Sequence, residues 1–161
     1  MVKLYLDTSV IIARAYREDG FHDKSLKFMR EVRRLDVEIM VGNPILLELG
    51  KAVQRKGIET ALTILRTIEH HRIKLAMLDP DRLSSLVDRY LSENIVGEKY
   101  RFDLLHYASA TLLNCTHLVS WDKGHFNQSV GKKVNAVNSV LGLATLNVGD
   151  PVDILGSLKL D

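Results

Sequence analysis

Short apolar segments alternate with longer segments of helical periodicity along this chain of 161 residues. The predicted strands are 3–6, 37–41, 73–77, 117–120 and 134–137, and the predicted helices are 8–16, 22–35, 44–55, 58–70, 80–94 and 102–113. Such alternation indicates β-α-β units, whose parallel strands are covered by helices on both faces of the sheet. The sequence therefore predicts an α/β fold: a three-layer α/β/α sandwich with a mostly parallel central sheet of about five strands.

Loops, domain count and location in the cell can also be predicted from the sequence. Residues 17–20 are predicted to form a loop, and the tail from Gly149 is predicted to be extended, with a turn at Pro151. The length suits a single domain over residues 1–161. The N-terminus has no signal-peptide pattern, and no apolar run approaches the roughly 20 residues that span a bilayer. We therefore expect a cytoplasmic protein without a membrane partner.

Charge and cysteine content exclude several classes of protein. A formal net charge of +2 argues against a polycationic nucleic-acid binder, so nucleic acid would be held by a local basic patch or through a metal ion. The single cysteine, Cys115, cannot form an intrachain disulfide and is predicted to be a buried, inert thiol. No Cys-His cluster suggests zinc, and no glycine-rich loop suggests a nucleoside triphosphatase.

Four carboxylates stand where a strand ends or a helix begins. Asp7 and Asp122 follow predicted strands, Asp103 opens a predicted helix, and Glu48 lies in the early turns of another. Ligands gather at the carboxyl ends of parallel strands, so these acids can converge. Clustered carboxylates repel one another unless a cation or a proton neutralises them, and oxygen ligands suit Mg²⁺ or Mn²⁺. The sequence therefore predicts a divalent metal site, with hydrolysis of a phosphodiester by activated water as the chemistry.

Each acid also has a simpler interpretation. Asp7 can cap the first helix, Asp122 can cap a short helix through Phe126, and Asp103 can be a surface residue. Glu48 is harder to explain in this way, because it lies at the margin of an apolar helix face and a buried charge needs a partner. That predicted face consists of Ile45, Leu46, Leu49, Ala52 and Val53.

Four short motifs occur in order along the chain. They are LDTS at 6–9, LLEL at 46–49, FDLLHYA at 102–108 and LVSWD at 118–122. With this order, spacing and placement, the sequence resembles the PIN-domain nucleases. Residues 137–140 and 149–155 are similar to the closing segment of that family, so the resemblance covers nearly the whole chain.

The resemblance implies an endoribonuclease that depends on Mg²⁺ or Mn²⁺. The residues that it implies as both metal ligands and catalytic groups are Asp7, Glu48, Asp103 and Asp122. Thr8 or Ser9 would steady Asp7 or a water ligand, and Ser120 matches a small hydroxyl position before the last acid. Many small prokaryotic members are VapC-like toxins of toxin–antitoxin pairs and tend to dimerise. The implied partners are an RNA substrate, a cognate antitoxin and a second copy of the chain.

One departure from the family pattern follows Asp122. The family often places another acid shortly after this position, whereas this chain has Lys123, Gly124, His125 and Phe126 there. One well-held metal is therefore a safer expectation than two. For His125, a surface or packing role is favoured over contact with a phosphate or a leaving group.

Basic residues near the predicted site have two interpretations. Lys99, Tyr100 and Arg101 precede Asp103, so they can contact an RNA backbone and stack a base, or they can form a solvated loop. His70 and His71 end a predicted helix, where a cation interacts favourably with the helix dipole. The arginines of the second helix, Arg30, Arg33 and Arg34, are predicted to form a solvated face.

Two rival functions remain open from sequence. One is a catalytically silent PIN-like module that binds RNA or a protein partner. The other is a phosphatase acting on small phosphoesters. The segment Asp7-Thr8-Ser9 argues against the phosphatase, because it lacks the second aspartate that a haloacid-dehalogenase-like enzyme needs two residues on.

Overall fold

The computed structural model describes residues 1–17 and 20–159, so the predicted loop at 17–20 includes two residues outside the described part. The strands are β1 (Val2–Leu6), β2 (Val37–Val41), β3 (Lys74–Leu75), β4 (His117–Val119) and β5 (Asn147–Gly149). The helices are α1 (Thr8–Ala15), α2 (His22–Val32), α3 (Pro44–Lys56), α4 (Ile58–His70), α5 (Pro80–Ser92), α6 (Arg101–Leu112), α7 (Gln128–Val140) and α8 (Pro151–Leu158). A single 3₁₀ turn, Glu98–Tyr100, precedes α6.

The five strands form one parallel sheet in the order β3-β2-β1-β4-β5. The predicted α/β fold is therefore confirmed. The chain leaves β1 toward β2 and β3, and later crosses back to β4 and β5 on the other side of β1. The carboxyl ends of β1 and β4 flank this change of direction, which is where open α/β sheets bind their ligands.

Each face of the sheet has its own apolar core. Leu4 and Leu6 point into one core, where they pack with α1 to α4 and α8. Tyr5 points into the other, with α5, α6 and α7. This alternation follows from the period of two along a strand, and it explains why β1 is apolar at consecutive positions.

The predicted strand at 134–137 is wrong. Those residues lie within α7, and the fifth strand is β5 instead, paired in parallel with β4. The valines there suggested a strand, but Asn127 caps the helix by accepting a hydrogen bond from the Val130 amide at 3.0 Å. Val134 and Val137 are both buried at the i, i+3 spacing of one helical face.

The prediction of an extended tail is also wrong. Residues 151–158 form α8. The Asp150 carboxylate accepts hydrogen bonds from the amides of Val152 at 2.8 Å and Asp153 at 2.9 Å, and Pro151 occupies the first helical position. An Asp at the N-cap and a proline at the first helical position are both local signals for a helix start.

Three smaller expectations can be compared with the structure. In α3, Ile45 and Leu49 are buried as predicted, but Leu46 and Val53 are 42% and 39% exposed. Cys115 is buried, and burial raises the pKa of its thiol to about 12, which keeps it protonated and inert. Among the helices of the described residues, none combines the length and the apolar composition needed to cross a membrane.

Candidate metal centre

The sheet brings Asp7 and Asp122 to the same edge. β1 and β4 are neighbours in register, with Leu6 opposite Val119, and the Asp7 amide donates to the Val119 carbonyl at 2.9 Å. Asp122 lies just beyond the end of β4. Asp103 enters from the first turn of α6, and Glu48 from the second turn of α3.

Two serines hold one oxygen of Asp7. Ser9 Oγ donates to Asp7 Oδ2 at 2.6 Å, and Ser120 Oγ donates to the same oxygen at 2.7 Å. Asp7 makes no side-chain bond to the amides of α1, so the capping interpretation is wrong for this residue. Thr8 lies beside it, but its buried hydroxyl has no hydrogen-bond partner. Both serine contacts leave Asp7 Oδ1 facing the rest of the site.

Glu48 is three-quarters buried beside Asp7. Its side chain is 25% exposed, and Oε2 is buried without a hydrogen-bond partner. Burial is the main cause that raises the pKa of this carboxyl to about 8; the negative charges of Asp7 and Asp103 add to it and Lys51 opposes it. A metal-free Glu48 is therefore largely protonated at neutral pH.

Asp103 and Asp122 complete the acidic edge and already have partners. His125 Nδ1 lies 2.9 Å from Asp103 Oδ2. Burial raises the pKa of Asp103; His125 opposes the shift, and Asp122 and Asp7 add to it. Asp122 Oδ1 accepts from the Gly124 amide at 2.8 Å, which closes a turn rather than the predicted short helix. The charges of Asp7 and Asp103 act on Glu48, and those of Asp122 and Asp7 act on Asp103. Among the described residues, however, Asp103 and Asp122 are not in a group whose ligand atoms are close enough together to hold an ion.

His106 belongs to the same cluster, and the sequence interpretation missed it. It is 2% exposed, and its Nε2 lies 3.4 Å from Asp7 Oδ1 and 4.0 Å from Glu48 Oε2. One ligand atom from each of these three residues lies within 4.8 Å of the others, so together they can hold a metal ion. The available signal was its spacing, because residues i and i+3 share a helix face and His106 follows Asp103 by three.

Tyr5 supports His106 from the strand below. The Tyr5 hydroxyl lies 3.3 Å from His106 Nδ1. If the phenol donates to Nδ1, the ring proton is on Nε2 and points toward the two carboxylates. Burial lowers the pKa of His106, and Asp7 partly offsets that effect, so burial favours the neutral form of the ring.

The chain resembles a known protein family in sequence and known proteins in fold. The sequence model of the PIN domain family matches residues 4–129. The chain belongs to the PIN domain family. No curated protein matches the sequence significantly. Family membership supports a nuclease, in line with the resemblance seen in the four motifs.

Two solved structures extend the comparison. VapC20 from Mycobacterium tuberculosis, a toxin that cleaves the sarcin-ricin loop, is 14% identical with a TM-score of 0.55, over 75% of this chain and 91% of that one. VapBC2 from Rickettsia felis, bound to a DNA fragment from its promoter, is 18% identical with a TM-score of 0.55, over 77% of this chain and 91% of that one. At these identities the likeness shows the fold alone.

The departure after Asp122 has a structural counterpart in this PIN domain. Lys123, which stands where the family often has an acid, extends its ammonium to 2.6 Å from Asp150 Oδ2. The other oxygen of Asp150 caps α8. Asp150 is thus committed to the fold, and among the described residues it is not part of the group that can hold a metal.

The segment before Asp103 is only partly free for a ligand. Arg101 pairs with Asp88 and with Glu98, so its charge is neutralised locally. Lys99 Nζ lies 4.7 Å from the centre of the Tyr100 ring, and that ring is 3.8 Å from the ring of His125. His125 therefore connects Tyr100 to Asp103, which is a packing role beside the acids.

Proposed function

We propose that this PIN domain is a metal-dependent endoribonuclease whose ion is held by carboxylates at the β1–β4 edge. The observation that carries the proposal is the buried Glu48 carboxyl, which faces Asp7 with one oxygen unpartnered. Leaving such a group unpaired is costly, and a divalent cation removes the cost. PIN family membership supports the same chemistry.

The donor set fits Mg²⁺ or Mn²⁺. Asp7 and Glu48 supply oxygens that lie together in the group of three residues able to hold an ion. Asp103 and Asp122 are outside that group, and in this proposal they add negative charge and bind ligand waters. When bound, the ion supplies a water of lowered pKa and stabilises negative charge on a phosphoryl oxygen. Among the described residues, only Asp7, Glu48 and His106 bring three ligand atoms within 4.8 Å of one another. Because His106 donates to Asp7 in this proposal, the two carboxylates are the direct ligands, which favours one ion over two.

The protein side chains divide the remaining work. Ser9 and Ser120 fix the orientation of Asp7 through Oδ2. His106 steadies the opposite oxygen, Oδ1. Glu48 changes from a protonated carboxyl to a carboxylate as the site is loaded, so it releases a proton on loading. His125 similarly fixes the orientation of Asp103, through the contact of its Nδ1 with Asp103 Oδ2.

RNA is the proposed substrate, bound along α3. A cleft of about 260 Å³ begins at Glu48, and its basic lining residues are Lys51, Arg55 and Lys56. These three cations are suited to backbone phosphates, whereas Arg101 is already paired. The adjoining rings of Tyr100 and His125 can stack an unpaired base.

The biological setting is also part of the proposal. The chain acts in the cytoplasm as the toxin of a toxin–antitoxin pair, with a cognate antitoxin as protein partner and a homodimer as its working form. Support comes from family membership and from the fold shared with two VapC proteins.

The test is RNA cleavage and Mn²⁺ binding by Asp7→Asn and Asp103→Asn, with exposed Asp36→Asn as the matched control. We expect both site variants to lose metal-dependent cleavage while keeping the circular dichroism and melting temperature of a folded protein. Undiminished cleavage in both variants would refute the assignment of Asp7 and Asp103 to the catalytic metal site. RNA binding without turnover in the wild type would instead favour the silent module, and turnover restricted to a chromogenic phosphomonoester would favour the phosphatase.

A further inference from the structure

A second group of polar side chains lies away from the carboxylates. It surrounds a cavity of about 320 Å³ lined by Arg14, Thr63, Arg66, Thr67, His70 and His71. Arg14 stands in the last turn of α1, roughly 10 Å along the helix axis from the acidic end. His71 follows α4 and precedes β3, so it lies toward the amino edge of the parallel sheet. The carboxylates lie at the opposite edge.

Two of these side chains carry buried nitrogens without partners. His71 is only 5% exposed, and neither ring nitrogen has a hydrogen-bond partner. The Nε of Arg14 is also buried and unpartnered. Buried polar groups in folded proteins are nearly always satisfied, and a bound ion or water is one of the explanations for an exception. Both exceptions here line the same cavity.

The surroundings of the cavity are cationic. Burial is the main cause that lowers the pKa of His71 to about 4, and the charges that add to the shift are Arg14, His70 and Arg33. Burial also lowers the pKa of Arg14, and the charges of Arg30 and Arg17 lower it further. Within the described part of the chain, neither Arg14 nor Arg66 forms an ion pair with a carboxylate.

The hydroxyl groups of the two threonines already donate hydrogen bonds within α4. Thr63 Oγ1 donates to the Glu59 carbonyl and Thr67 Oγ1 to the Thr63 carbonyl, both at 2.9 Å. The available donors are therefore the guanidinium groups of Arg14 and Arg66 and the two imidazoles. A cationic ligand would be repelled, whereas acceptor oxygens of a ligand would satisfy the Arg14 Nε–H and the single N–H of a neutral His71. The second ring nitrogen of His71 is an acceptor, which the hydroxyl group of a monoprotonated phosphate can satisfy.

We propose that this cavity is a phosphate-binding site, separate from the nuclease centre and independent of its assignment. Donors approach from α1, from α4 and from the turn after α4, which suits a tetrahedral oxyanion better than a planar carboxylate. Arginine binds phosphate through paired N–H groups, so Arg14 and Arg66 supply most of the affinity. The cavity is larger than one phosphate, so it also accepts the phosphate group of an ester.

The expected affinity can be measured by calorimetry in EDTA, with inorganic phosphate titrated against chloride at matched ionic strength. A few charge-assisted hydrogen bonds predict a Kd on the order of 1 mM. We expect Arg14→Gln and Arg66→Gln each to weaken binding at least ~10-fold, since each removes one charged donor group. Arg82→Gln, an exposed arginine on α5, is the matched control and should bind as the wild type does.

Imidazole ¹H–¹⁵N spectra give a second readout that does not depend on affinity changes. Phosphate should shift the ring signals of His70 and His71 and leave those of His106 and His125 unmoved, with His71→Asn used for assignment. A parallel titration with the dinucleotide UpU distinguishes the source of the phosphate group. Tighter binding of inorganic phosphate indicates a free or terminal phosphate. Tighter binding of UpU that also moves the His70 and His71 signals indicates a nucleic-acid backbone, and either of these results supports the site. UpU binding that leaves both signals unmoved belongs to the cleft along α3 and counts against the site.

Two results would overturn the proposal. The first is that neither inorganic phosphate nor UpU binds to the folded wild-type protein. The second is that Arg14→Gln and Arg66→Gln bind phosphate as tightly as the wild type, with no movement of the His71 signal. Because Arg66 is exposed, its substitution preserves the fold, and the test stands even if the His71 variant does not fold.

Discussion

Replacing Glu48 by Gln should stabilise the metal-free protein at neutral pH and prevent its stabilisation by metal. Burial and Asp7 raise the pKa of this carboxyl from 4.5 to about 8. The native state therefore holds a proton that the unfolded chain releases above pH 4.5. Stability from this group is complete below pH 4.5 and is lost as the pH rises toward 8. Glutamine has no proton to lose, so the substitution removes this pH dependence.

The magnitude follows from the size of the shift. Each pH unit between the two pKa values corresponds to about 1.4 kcal/mol, so the variant should be more stable than the wild type by about 3 kcal/mol at pH 7. For a chain of this length, that corresponds to roughly 6–12 °C in melting temperature. The difference should be close to zero at pH 4.5.

Thermal melts in EDTA from pH 4.5 to 8 provide the assay, repeated in saturating Mn²⁺. In metal the order should reverse, because the wild type gains binding energy that the variant lacks. Glu59→Gln, at an exposed position at the start of α4, is the control and should show little dependence on pH or Mn²⁺. A Glu48→Gln difference that stays constant across this pH range would refute the reasoning.

Three further perturbations test other parts of the structure. His106→Gln should weaken Mn²⁺ binding about 10–100-fold by calorimetry, because Nε2 no longer steadies Asp7 Oδ1; an unchanged Kd would contradict this role. Arg55→Gln and Lys56→Gln should each reduce the salt dependence of RNA binding by roughly 0.7 in log–log slope, with Mn²⁺ affinity unchanged; a slope equal to that of the wild type would exclude phosphate contacts. Arg72 has a φ of 54°, so Arg72→Gly should raise the free energy of unfolding by about 0.5–1 kcal/mol, measured by urea denaturation; a lower midpoint would show that its side chain contributes more than the strain costs.

Local signals predicted most of the fold correctly. The bounds of β2 and α4 match their predictions residue for residue, because each of these segments follows a single hydrophobic pattern, that of a strand or that of a helix. The errors fall after Asp122. In α7, valine favours a strand locally, and the helix is established by the Asn127 cap and by burial against β5. The Asn127 cap, and likewise Asp150 and Pro151 at the start of α8, are local signals that the sequence interpretation did not use. Burial against β5, in contrast, depends on tertiary contacts that no local window contains.

The site shows the same division. The sequence predicted that Asp7 and Asp122 follow β1 and β4, and parallel strands end on the same side of a sheet, so these two acids were expected to lie near each other. The burial of His106 could not be read in this way. Its helix position next to Asp103 suggested a polar surface, whereas its partners Tyr5 and Phe126 come from β1 and from the segment after β4.

The sequence by itself determined the parallel sheet, the placement of four acids at strand ends and helix starts, and the family to which the chain belongs. Only the tertiary structure decided which atoms meet: Ser120 on Asp7 across 113 residues, Glu48 buried with a raised pKa, and the cationic cavity around His71. The reason is physical. Strand and helix periods arise from neighbours along the chain, whereas hydrogen bonds and charge interactions depend on distances and burial that exist only after the chain has folded.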